Sequence, residues 1–486
     1  MKQIKILFLF FRLYSLVWKL LLPMLQLSPR LARGMTQRMG TAHLEKCDIW
    51  IQGASAGESY LTAALIKCLP ENLEILATTT TQQGMEVLEK QYEGDPRVKI
   101  AWFPFDIPKL MDEVLVAIEP RLIVLMETEL WPSLMASSLK HGCPVMVVNG
   151  RISSRSHRRY ILTRIIWKQL NPHSILAVST VDAGRFRDIF PKSAIDVMPN
   201  MKFDAILTAQ GTGDDKPVSK GRTDDKPVSK GQTFDNSMEK CGLLPFPTRT
   251  AINGLSVPVS IFASIRKEEE KDILYIIPQV IKLFPNQTIL IFPRHMHRMD
   301  AWKKGLSRID NISWNLASSI TALPGTGTMW PATGTILPGT GAILPGTGTI
   351  LPGTGTILAG TGTIVLWDIF GDLKSAYCTA RAAFVGGSLK PLGGHNFIEP
   401  LLSGTPTVTG PYIEDFSWVG EDIFTTEIIR KINSREELIN AMVHYMEHPL
   451  ERSRVKEKAM EVFIKSRGGT KTARDQIVRH LKSTRQ

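Results

Sequence analysis

The sequence has few cysteines and none of the metal-binding patterns that cysteines and aspartates commonly form. Five cysteines are spread over 486 residues without a C-x-x-C pair, so neither a disulfide framework nor a zinc cluster is indicated. A D-x-D motif is also absent, which argues against a metal-dependent transferase. We therefore expect a protein of a reducing compartment that needs neither a metal ion nor a cofactor.

No small-residue cleavage site follows the apolar segment at residues 6–27, which argues against a removed signal peptide. On a helix, four polar side chains recur every seven residues as one stripe: Lys5, Arg12, Lys19 and Gln26. Two cations at bilayer depth would cost about 2.5–3.5 kcal/mol each, which favours a helix in the membrane interface over a spanning one, although both stay open. We predict a membrane-anchoring helix over 1–28, with the chain beyond it on the cytoplasmic side because arginines follow.

The chain is basic, with 58 lysines and arginines against 46 acidic residues and a net charge of +12. This charge is compatible with nucleic acid, with anionic lipid or with a phosphorylated substrate. Charge alone does not choose among these partners, so the choice depends on the motifs.

Past residue 45, short apolar runs alternate with helical patterns, which is typical of a parallel sheet with helices on both faces. The strand-like runs form two series, one from "DIWIQG" to "SILAVST" and one from "PVSIFAS" to "TPTVTG". The fold class predicted is α/β, with two doubly wound Rossmann-like domains facing across a cleft. Their predicted bounds are 29–206 for the N-terminal domain and 258–486 for the C-terminal domain.

Two low-complexity segments interrupt this plan. The repeated "DDKPVSKG" lies in a polar stretch, and we predict a linker over 207–257. Six consecutive heptads similar to "LPGTGTI" fill residues 323–364, and their glycines and prolines argue against a helix. We expect this insert to be a surface loop, with a short β-solenoid as the alternative.

The stretch "GASAGES" at 53–59 matches the G-x-S-x-G pattern of a nucleophilic serine. Such a serine follows several strands and an oxyanion loop, whereas only a helix and a basic connector precede Ser55. In a doubly wound sheet the loop after the first strand opens at the ligand-binding edge, where Glu58 is suited to act as a general base. A stabilising role in the first helical turn explains Glu58 equally well from this stretch alone.

The stretch "FVGGSLKPLGGHNFIEP" at 384–400 combines a strand, four glycines and a predicted helix start near Asn396. Glycines before a helix N-terminus provide a site for phosphate, and Glu399 suits the two hydroxyls of a ribose. A plain helix cap formed by Asn396 and Glu399 is the alternative. Arg294 ends another strand of the same series, where its planar guanidinium suits a phosphate.

Eight motifs in this order resemble the 3-deoxy-D-manno-octulosonic acid (Kdo) transferases, glycosyltransferases of the GT-B fold. They are spread over most of the chain: "GASAGES" (53–59), "METELWPSL" (126–134), "NGRIS" (149–153), "NMKFD" (200–204), "FPRH" (292–295), "FGDL" (370–373), "FVGGSLKPLGGHN" (384–396) and "GP" from 410. The coincidence of several motifs makes the resemblance specific. It implies that both domains are Rossmann-like halves of a GT-B enzyme.

The resemblance implies roles for individual residues. Glu58 would be the general base, and Glu127 and Lys202 would stabilise the transition state. A bound CMP would contact three stretches of the second domain: Pro293 and Arg294; Phe370, Gly371 and Asp372; and Asn396, Phe397, Ile398 and Glu399. Arg294 and the helix N-terminus would meet the phosphate, and Glu399 the ribose. No metal or cofactor is implied.

The resemblance also implies a reaction, the inverting and metal-independent transfer of Kdo from CMP-Kdo to lipid A precursor (lipid IVA) in lipopolysaccharide core biosynthesis. The partners would be CMP-Kdo, lipid A precursor and the anionic inner-membrane surface of a Gram-negative bacterium, without nucleic acid. The catalytic domains would lie on the cytoplasmic side. Another GT-B enzyme that uses a UDP-sugar, and a membrane-anchored pseudoenzyme, are the alternatives.

Two stretches depart from the family pattern. "ASIRKEEE" at 263–270 stands where the family has Ser-Thr-His/Arg-Glu-Gly-Glu-Glu, which leaves the shape of that loop open. "FGDL" replaces a more usual Met-Gly-Glu-Leu, and Asp372 keeps the negative charge on a shorter side chain. The heptad insert lies just upstream of this turn.

Overall fold

The computed structural model describes residues 2–40, 45–209, 258–319 and 363–483. The chain forms two compact units, one of Met1–Asp215 with Phe463–Gln486 and one of Lys216–Val462. Each unit is built on a seven-stranded sheet. The "DDKPVSKG" repeats and the heptads up to residue 362 lie outside the described residues, so the linker and the surface loop stay predictions.

The sheet of the first unit is parallel throughout. Its strands are β1 (Ile49–Gln52), β2 (Ile75–Thr79), β3 (Val98–Trp102), β4 (Leu122–Met126), β5 (Val145–Gly150), β6 (Ser174–Ala177) and β7 (Ala194–Val197). Their spatial order is β3-β2-β1-β4-β5-β6-β7. Every residue of β1, β2, β4 and β5 is buried, as expected for apolar strands covered on both faces.

Helices precede and connect these strands. They are α1 (Lys2–Gln26), α2 (Pro29–Ala32), α3 (Met35–Arg38), α4 (Ala56–Cys68), α5 (Gln82–Tyr92), α6 (Pro108–Ile118), α7 (Pro132–Lys140), α8 (Ser154–Leu162), α9 (Arg164–Trp167), α10 (Thr180–Ile189) and α11 (Met201–Ala209). Four of them begin after a hydroxyl side chain that accepts a hydrogen bond from the N–H three residues later: Ser55, Thr81, Ser153 and Ser179. This capping satisfies an N–H that has no partner within the helix.

Strand β1 lies at the centre of the first sheet, between β2 and β4. The chain runs outwards from β1 through β2 and β3 and returns on the other side of β1 as β4. In open parallel sheets such a reversal leaves a crevice at the carboxyl ends of the two central strands, where ligands bind. The loops after β1 and β4 therefore flank the expected site of the first unit.

Helix α1 is apolar on two faces, and one of them packs against the first unit. The hydroxyl of Tyr14 donates to Asp106 Oδ2 over 3.0 Å, and the ring of Trp18 lies 5.5 Å from that of Phe105. The other face exposes large apolar side chains: Leu9, Leu13, Leu16, Leu20 and Met24. Among the residues described, one segment is a helix long and apolar enough to cross a membrane, Lys5–Gln26.

The second unit repeats the plan of the first, again with parallel pairing throughout. Its strands are β8 (Val259–Ile265), β9 (Thr288–Pro293), β10 (Ser313–Leu316), β11 (Thr363–Leu366), β12 (Ala382–Val385), β13 (Thr407–Thr409) and β14 (Ile429–Lys431). Their spatial order is β10-β11-β9-β8-β12-β13-β14. The chain reverses direction about β8, so the crevice of this sheet lies between the loops after β8 and β12.

The helices of the second unit range from five to fourteen residues in length. They are α12 (Glu270–Leu283), α13 (Met299–Leu306), α14 (Leu373–Tyr377), α15 (Ile398–Leu402), α16 (Arg435–Glu447) and α17 (Arg452–Lys465). The helix predicted to start near Asn396 is α15, which begins at Ile398 and lasts five residues. Because the macrodipole grows with helix length, α15 contributes little to the binding of a phosphate.

The last helix, α18 (Gly469–Ser483), groups with the first unit, whereas the sequence-based division assigns all of 258–486 to the second domain. The Asp204 carboxylate accepts hydrogen bonds from the N–H groups of Gly468 (2.7 Å) and Thr470 (2.6 Å). Ile477 and Leu481 are buried in the first unit's core. The sequence pattern does not reveal this return, because α18 reads as an ordinary amphipathic helix.

All strand-like runs of the two predicted series are strands. The structure adds four strands that the apolar runs did not indicate, β3, β7, β10 and β14. All four are edge strands, and β7 and β14 are mostly exposed. An exposed edge strand needs no continuous apolar run, which explains why a search for buried strands missed them.

Candidate functional site

The loop after β1 presents Glu58 in the first turn of α4. Glu58 Oε2 accepts the N–H of Ala54 (2.7 Å), and Oε1 accepts the hydroxyl of Ser55 (3.0 Å). The N–H of Glu58 in turn donates to Ser55 Oγ (3.3 Å). This reciprocal pattern is a capping box, so the helix-start role considered for Glu58 is present in the structure. Ser55 serves as the N-cap and is engaged by Glu58.

The loop after β4 begins with Glu127, whose backbone is left-handed with φ 54°. A non-glycine residue in this conformation is uncommon and is enriched at functional sites. Glu127 Oε1 lies 2.7 Å from Lys202 Nζ. The structure thus brings together two of the predicted catalytic residues, which are far apart in the sequence.

Lys202 is the second residue of α11, and Asn149 at the end of β5 holds the start of that helix. Asn149 Oδ1 accepts the N–H of Met201 over 3.0 Å, and Asn149 itself is buried with φ 58°. The motif "NGRIS" therefore contributes a buried amide that fixes the helix carrying Lys202. The sequence analysis assigned this asparagine no role.

The carboxylates of the two loops are close enough to influence one another. Burial raises the pKa of Glu58, the hydrogen bond from Ala54 opposes the rise, and the charge of Glu127 adds to it. A carboxylate whose pKa is raised is a stronger base than an exposed one. Glu58 therefore combines a capping role with the properties expected of a general base.

Glu129 is a third carboxylate in this site, and the sequence analysis missed it. Burial and the charge of Glu58 raise the pKa of Glu129 to about 7, while the hydrogen bond from Trp131 opposes the rise. That bond runs from Trp131 Nε1 to Glu129 Oε2 over 3.0 Å. The available signal was the second glutamate of "METELWP", two residues after Glu127 in a loop rather than in a strand.

In the second unit, Arg294 follows the last residue of β9, and its N–H donates to the carbonyl of Ile265 over 2.9 Å. Its guanidinium belongs to a group of basic side chains near His395. Burial lowers the pKa of His395 to about 4, and the positive charges of Arg294 and Arg266 lower it further, with a smaller effect of His295. This edge of the second sheet is therefore positively charged and suited to an anion.

The predicted turn at Phe370, Gly371 and Asp372 has two left-handed residues, Gly371 with φ 98° and Asp372 with φ 62°. Phe370 is 86% exposed, and Asp372 stands at the start of α14. Burial raises the pKa of Glu399, and the charge of Lys374 in α14 opposes that rise. The turn and the Glu399 stretch, which are separate in the sequence, thus lie side by side.

The stretch from Asn396 to Glu399 offers a ligand two side chains and a backbone. Asn396 Oδ1 accepts the N–H of Ile398 over 3.1 Å, as a helix cap does. Phe397 is fully buried, with its ring 5.4 Å from that of Phe416, and Ile398 is buried as well. These two residues can contact a ligand only through main-chain atoms.

Comparison with known proteins gives the family. Residues 33–205 match the family model described as 3-deoxy-D-manno-octulosonic-acid transferase (kdotransferase). A 3-deoxy-D-manno-octulosonic acid transferase of Haemophilus influenzae is 24% identical over 467 residues, with 93% of each chain covered. A bifunctional glycosyltransferase/methyltransferase of Fusobacterium nucleatum is 25% identical over 399 residues, which cover 81% of this chain and 52% of that relative.

Solved structures support the fold. The Anabaena protein HepE in complex with UDP matches with a TM-score of 0.50 at 12% identity, covering 90% of this chain and all (100%) of HepE. The two parallel-sheet α/β units thus have GT-B-like neighbours, as the sequence predicts. Residues 33–205 thus carry the Kdo transferase family domain, and the chain is a glycosyltransferase that is similar to Kdo transferases over most of its length.

Proposed function

We propose that the chain transfers Kdo from CMP-Kdo to lipid A precursor (lipid IVA), with inversion at the anomeric carbon and without a metal ion. The observation that carries this proposal is Glu58, a partly buried carboxylate with a raised pKa at the crevice of the first sheet. The Glu127–Lys202 pair adjoins it. The relatives named as Kdo transferases support the choice of donor.

In the proposed reaction Glu58 accepts the proton of an acceptor hydroxyl. The oxygen of that hydroxyl attacks the anomeric carbon of Kdo, and the bond from this carbon to the phosphate oxygen of CMP breaks. The bonding electron pair leaves with CMP, and the new glycosidic bond forms on the opposite face, which gives inversion. The hydrogen bonds from Ala54 and Ser55 hold the Glu58 carboxylate in place for this transfer.

Lys202 and Glu127 are proposed to act by charge. Negative charge develops on the departing phosphate, and the Kdo carboxylate is negative throughout, so the proposed role of Lys202 is to offset one of these charges. The 2.7 Å contact with Glu127 restrains the flexible lysine, because an ion-paired ammonium has fewer conformations to lose on binding. Glu127 is thus proposed to orient Lys202.

The second unit is proposed to bind the CMP part of the donor. Arg294 would bind the phosphate beside Pro293, and Glu399 would accept hydrogen bonds from the two ribose hydroxyls. The turn from Phe370 through Gly371 to Asp372 and the stretch from Asn396 to Ile398 would complete the nucleotide site. Because the side chains of Phe397 and Ile398 are buried, their part would come from the backbone.

Helix α1 is proposed to attach the protein to the cytoplasmic surface of the inner membrane of a Gram-negative bacterium. One face of α1 packs on the first unit, and the other exposes leucines. A helix packed in this way has its free apolar face available to the interfacial region of a bilayer. The exposed cations Arg12 and Lys19 would meet anionic headgroups.

A reconstituted assay tests the proposal. Membranes that contain the protein are incubated with CMP-Kdo and lipid IVA, and the lipid product is identified by mass spectrometry. We expect Kdo-modified lipid from the wild type and none from Glu58→Ala. An unmodified lipid, or normal turnover by Glu58→Ala, contradicts the assignment.

Ligand-dependent melting separates the proposed donor from a UDP-sugar. A ligand that binds only the folded protein raises the melting temperature, and the rise grows with the ratio of its concentration to its Kd. We expect CMP to stabilise the protein and UDP not to do so. Stabilisation by UDP alone favours another GT-B activity, and no response to either nucleotide favours a pseudoenzyme. In that case a variant without residues 323–362, which keeps all of β11, shows whether the insert is the cause.

A further inference from the structure

The side chain of Glu269 lies in the loop after β8, immediately before α12, and is fully buried at 0% exposure. Its carboxylate accepts three backbone hydrogen bonds from one loop: Gly387 (2.7 Å), Ser388 (2.9 Å) and Leu389 (2.9 Å). A fourth comes from the N–H of Arg266 over 3.1 Å. Glu269 therefore joins the two loops that flank the crevice of the second sheet.

Three consecutive N–H groups that converge on one point form an anion-binding concavity. In many nucleotide-binding loops such a concavity holds a phosphate of the ligand. Here the carboxylate of the protein itself occupies it. The glycine-rich loop therefore does not offer these three N–H groups to a nucleotide, which leaves the phosphate to Arg294 and its basic neighbours.

The local sequence is adapted to this carboxylate. A Cβ atom on Gly386 would lie 2.9 Å from Glu269 Oε2 and 2.8 Å from the carbonyl oxygen of Ser264. Gly387 has φ 70°, a conformation in which glycine alone is free of strain. Both glycines thus allow the loop to approach Glu269. The stretch "ASIRKEEE" departs from the family pattern at other positions but keeps the glutamate that binds this loop.

The loop held by Glu269 leads directly to the proposed donor site. The N–H of Gly394 donates to the carbonyl of Gly387 over 2.8 Å, which closes the loop next to His395 and Asn396. A Cβ atom on Gly387 would lie 2.7 Å from the ring of His395. Any shift of the loop at Gly387 therefore displaces the residues that precede α15.

We propose that Glu269 is a positioning residue of the donor site, in which its carboxylate replaces a ligand phosphate in the N–H concavity of residues 387–389 and holds that loop in its nucleotide-binding shape. This inference rests on the proposed function, because it assumes that CMP binds at the second unit. It adds a residue that never touches the donor. Its effect is on donor affinity, and the chemical step keeps its rate once donor is bound.

The test compares Glu269→Ala with Glu270→Ala. Glu270 is the adjacent glutamate, and its carboxylate binds Arg298 (3.0 and 2.7 Å) and, among the described residues, forms no hydrogen bond with the glycine-rich loop. We expect Glu269→Ala to raise the Kd for CMP and the KM for CMP-Kdo at least tenfold, while kcat at saturating donor changes less than threefold. Glu270→Ala should keep the wild-type Kd.

Chemical rescue distinguishes a positioning carboxylate from a general loss of stability. Formate fits the space left in Glu269→Ala and can accept the same N–H groups, so formate should lower the Kd for CMP towards the wild-type value. Sodium chloride at equal ionic strength should not. Equal rescue by both salts, or an unchanged Kd in Glu269→Ala, overturns the proposal. If Glu269→Ala does not fold, Glu269→Gln, which keeps one acceptor oxygen, takes its place.

Hydrogen–deuterium exchange at residues 387–389 tests the role of Glu269 independently of the proposed CMP-Kdo donor. We expect these amides to be protected in the wild type, exposed in Glu269→Ala and protected again by formate. Protection that persists in Glu269→Ala overturns the role of Glu269 whatever the donor is. Wild-type protein that binds UDP and not CMP overturns the proposed donor, while the exchange result still decides whether Glu269 holds the loop.

Discussion

The two units have the same kind of crevice, at the strands where the sheet order reverses, but the side chains around the two crevices carry opposite charges. Glu58, Glu127 and Glu129 surround the crevice of the first unit, with Lys202 as the paired cation. The charged residues near the crevice of the second unit are cationic, Arg266 and Arg294, and they lie beside His295 and His395. Both sheets reverse about a central strand, and the residues around that strand's loop provide carboxylates in one unit and arginines in the other.

The difference extends to the protonation states that each unit favours. In the first unit burial and neighbouring charges raise the pKa of Glu58 and bring that of Glu129 to about 7, so both carboxylates bind a proton more tightly than an exposed one. In the second unit the pKa of His395 is lowered to about 4, so its imidazole tends to stay neutral. The first site thus disfavours a further negative charge, and the second site disfavours a further positive charge.

The largest effect is expected when the base is removed from the first site. Glu58→Gln keeps a side chain that can cap α4 but cannot accept the proton, so kcat should fall about 10²–10⁴-fold. CMP affinity should be unchanged, because the proposed nucleotide site belongs to the other unit. Steady-state kinetics and calorimetric titration with CMP measure the two quantities.

Ser55→Ala is the matched control for that experiment, because it removes the capping partner and leaves the carboxylate. The lost cap should lower stability by about 1 kcal/mol, and kcat should stay within tenfold of the wild type. If Ser55→Ala and Glu58→Gln reduce kcat equally, Glu58 acts through the start of α4 and not as a base.

The second-largest effect is expected from Arg294→Ala, which tests whether positive charge near the crevice of the second unit contributes to nucleotide binding. Arg294→Ala removes a charged donor, and a hydrogen bond to a charged group contributes about 1.5–3 kcal/mol, so CMP affinity should fall roughly 10–100-fold. Arg298→Ala is the control, because Arg298 is paired with Glu270. Equal losses in the two variants would mean that general positive charge, and not Arg294, attracts the nucleotide.

Glu129→Gln should stabilise the protein, and more so at alkaline pH. The pKa of Glu129 is about 7 in the folded state against an ordinary 4.5, so the folded state binds the proton more tightly. The free energy of unfolding therefore falls as the pH rises from about 4.5 to 7. Above pH 7 the ionised Glu129 destabilises the protein by its full amount. The glutamine should recover about 1–3 kcal/mol at pH 8 and little at pH 5. Thermal unfolding at both pH values measures this, and an advantage that is larger at pH 5 contradicts the buried carboxylate.

The smallest effect is expected from a change in α1, the helix that packs against the first unit. Tyr14→Phe deletes the hydrogen bond to Asp106, whose carboxylate also accepts the N–H groups of Ser133 and Leu134 at the start of α7. The loss should be about 1 kcal/mol in the free energy of unfolding, and CMP affinity should not change. Urea unfolding with and without CMP checks both, and a weaker CMP complex would contradict the separation of the two sites.

Much of the fold follows from the sequence because its signals are local. Apolar runs such as "RLIVLME" identify buried strands, and the position of "GASAGES" after the first run places Glu58 at the ligand-binding edge. The order β3-β2-β1-β4 is not local, but the rules for doubly wound sheets limit the choices to a few. The motifs therefore indicate both the sheet edge and the residues on it.

The pairs of residues that form the site are not local and could not be predicted in the same way. The Glu127–Lys202 contact joins the loop after β4 to the start of α11, 75 positions later. The three hydrogen bonds from residues 387–389 to Glu269 depend on how two loops approach each other. Glu129 was missed because its environment, and not its residue type, raises its pKa. Burial and proximity decide such properties, and a sequence pattern reports neither.

The return of α18 to the first unit affects the order in which the protein can be completed on the ribosome. The second unit, Lys216–Val462, is continuous in the chain, so it can close while translation proceeds. The first unit lacks Ile477 and Leu481 in its core until the last helix has emerged. The carboxylates of the first unit should therefore reach their final arrangement only after the second unit, with its basic side chains, can already have closed.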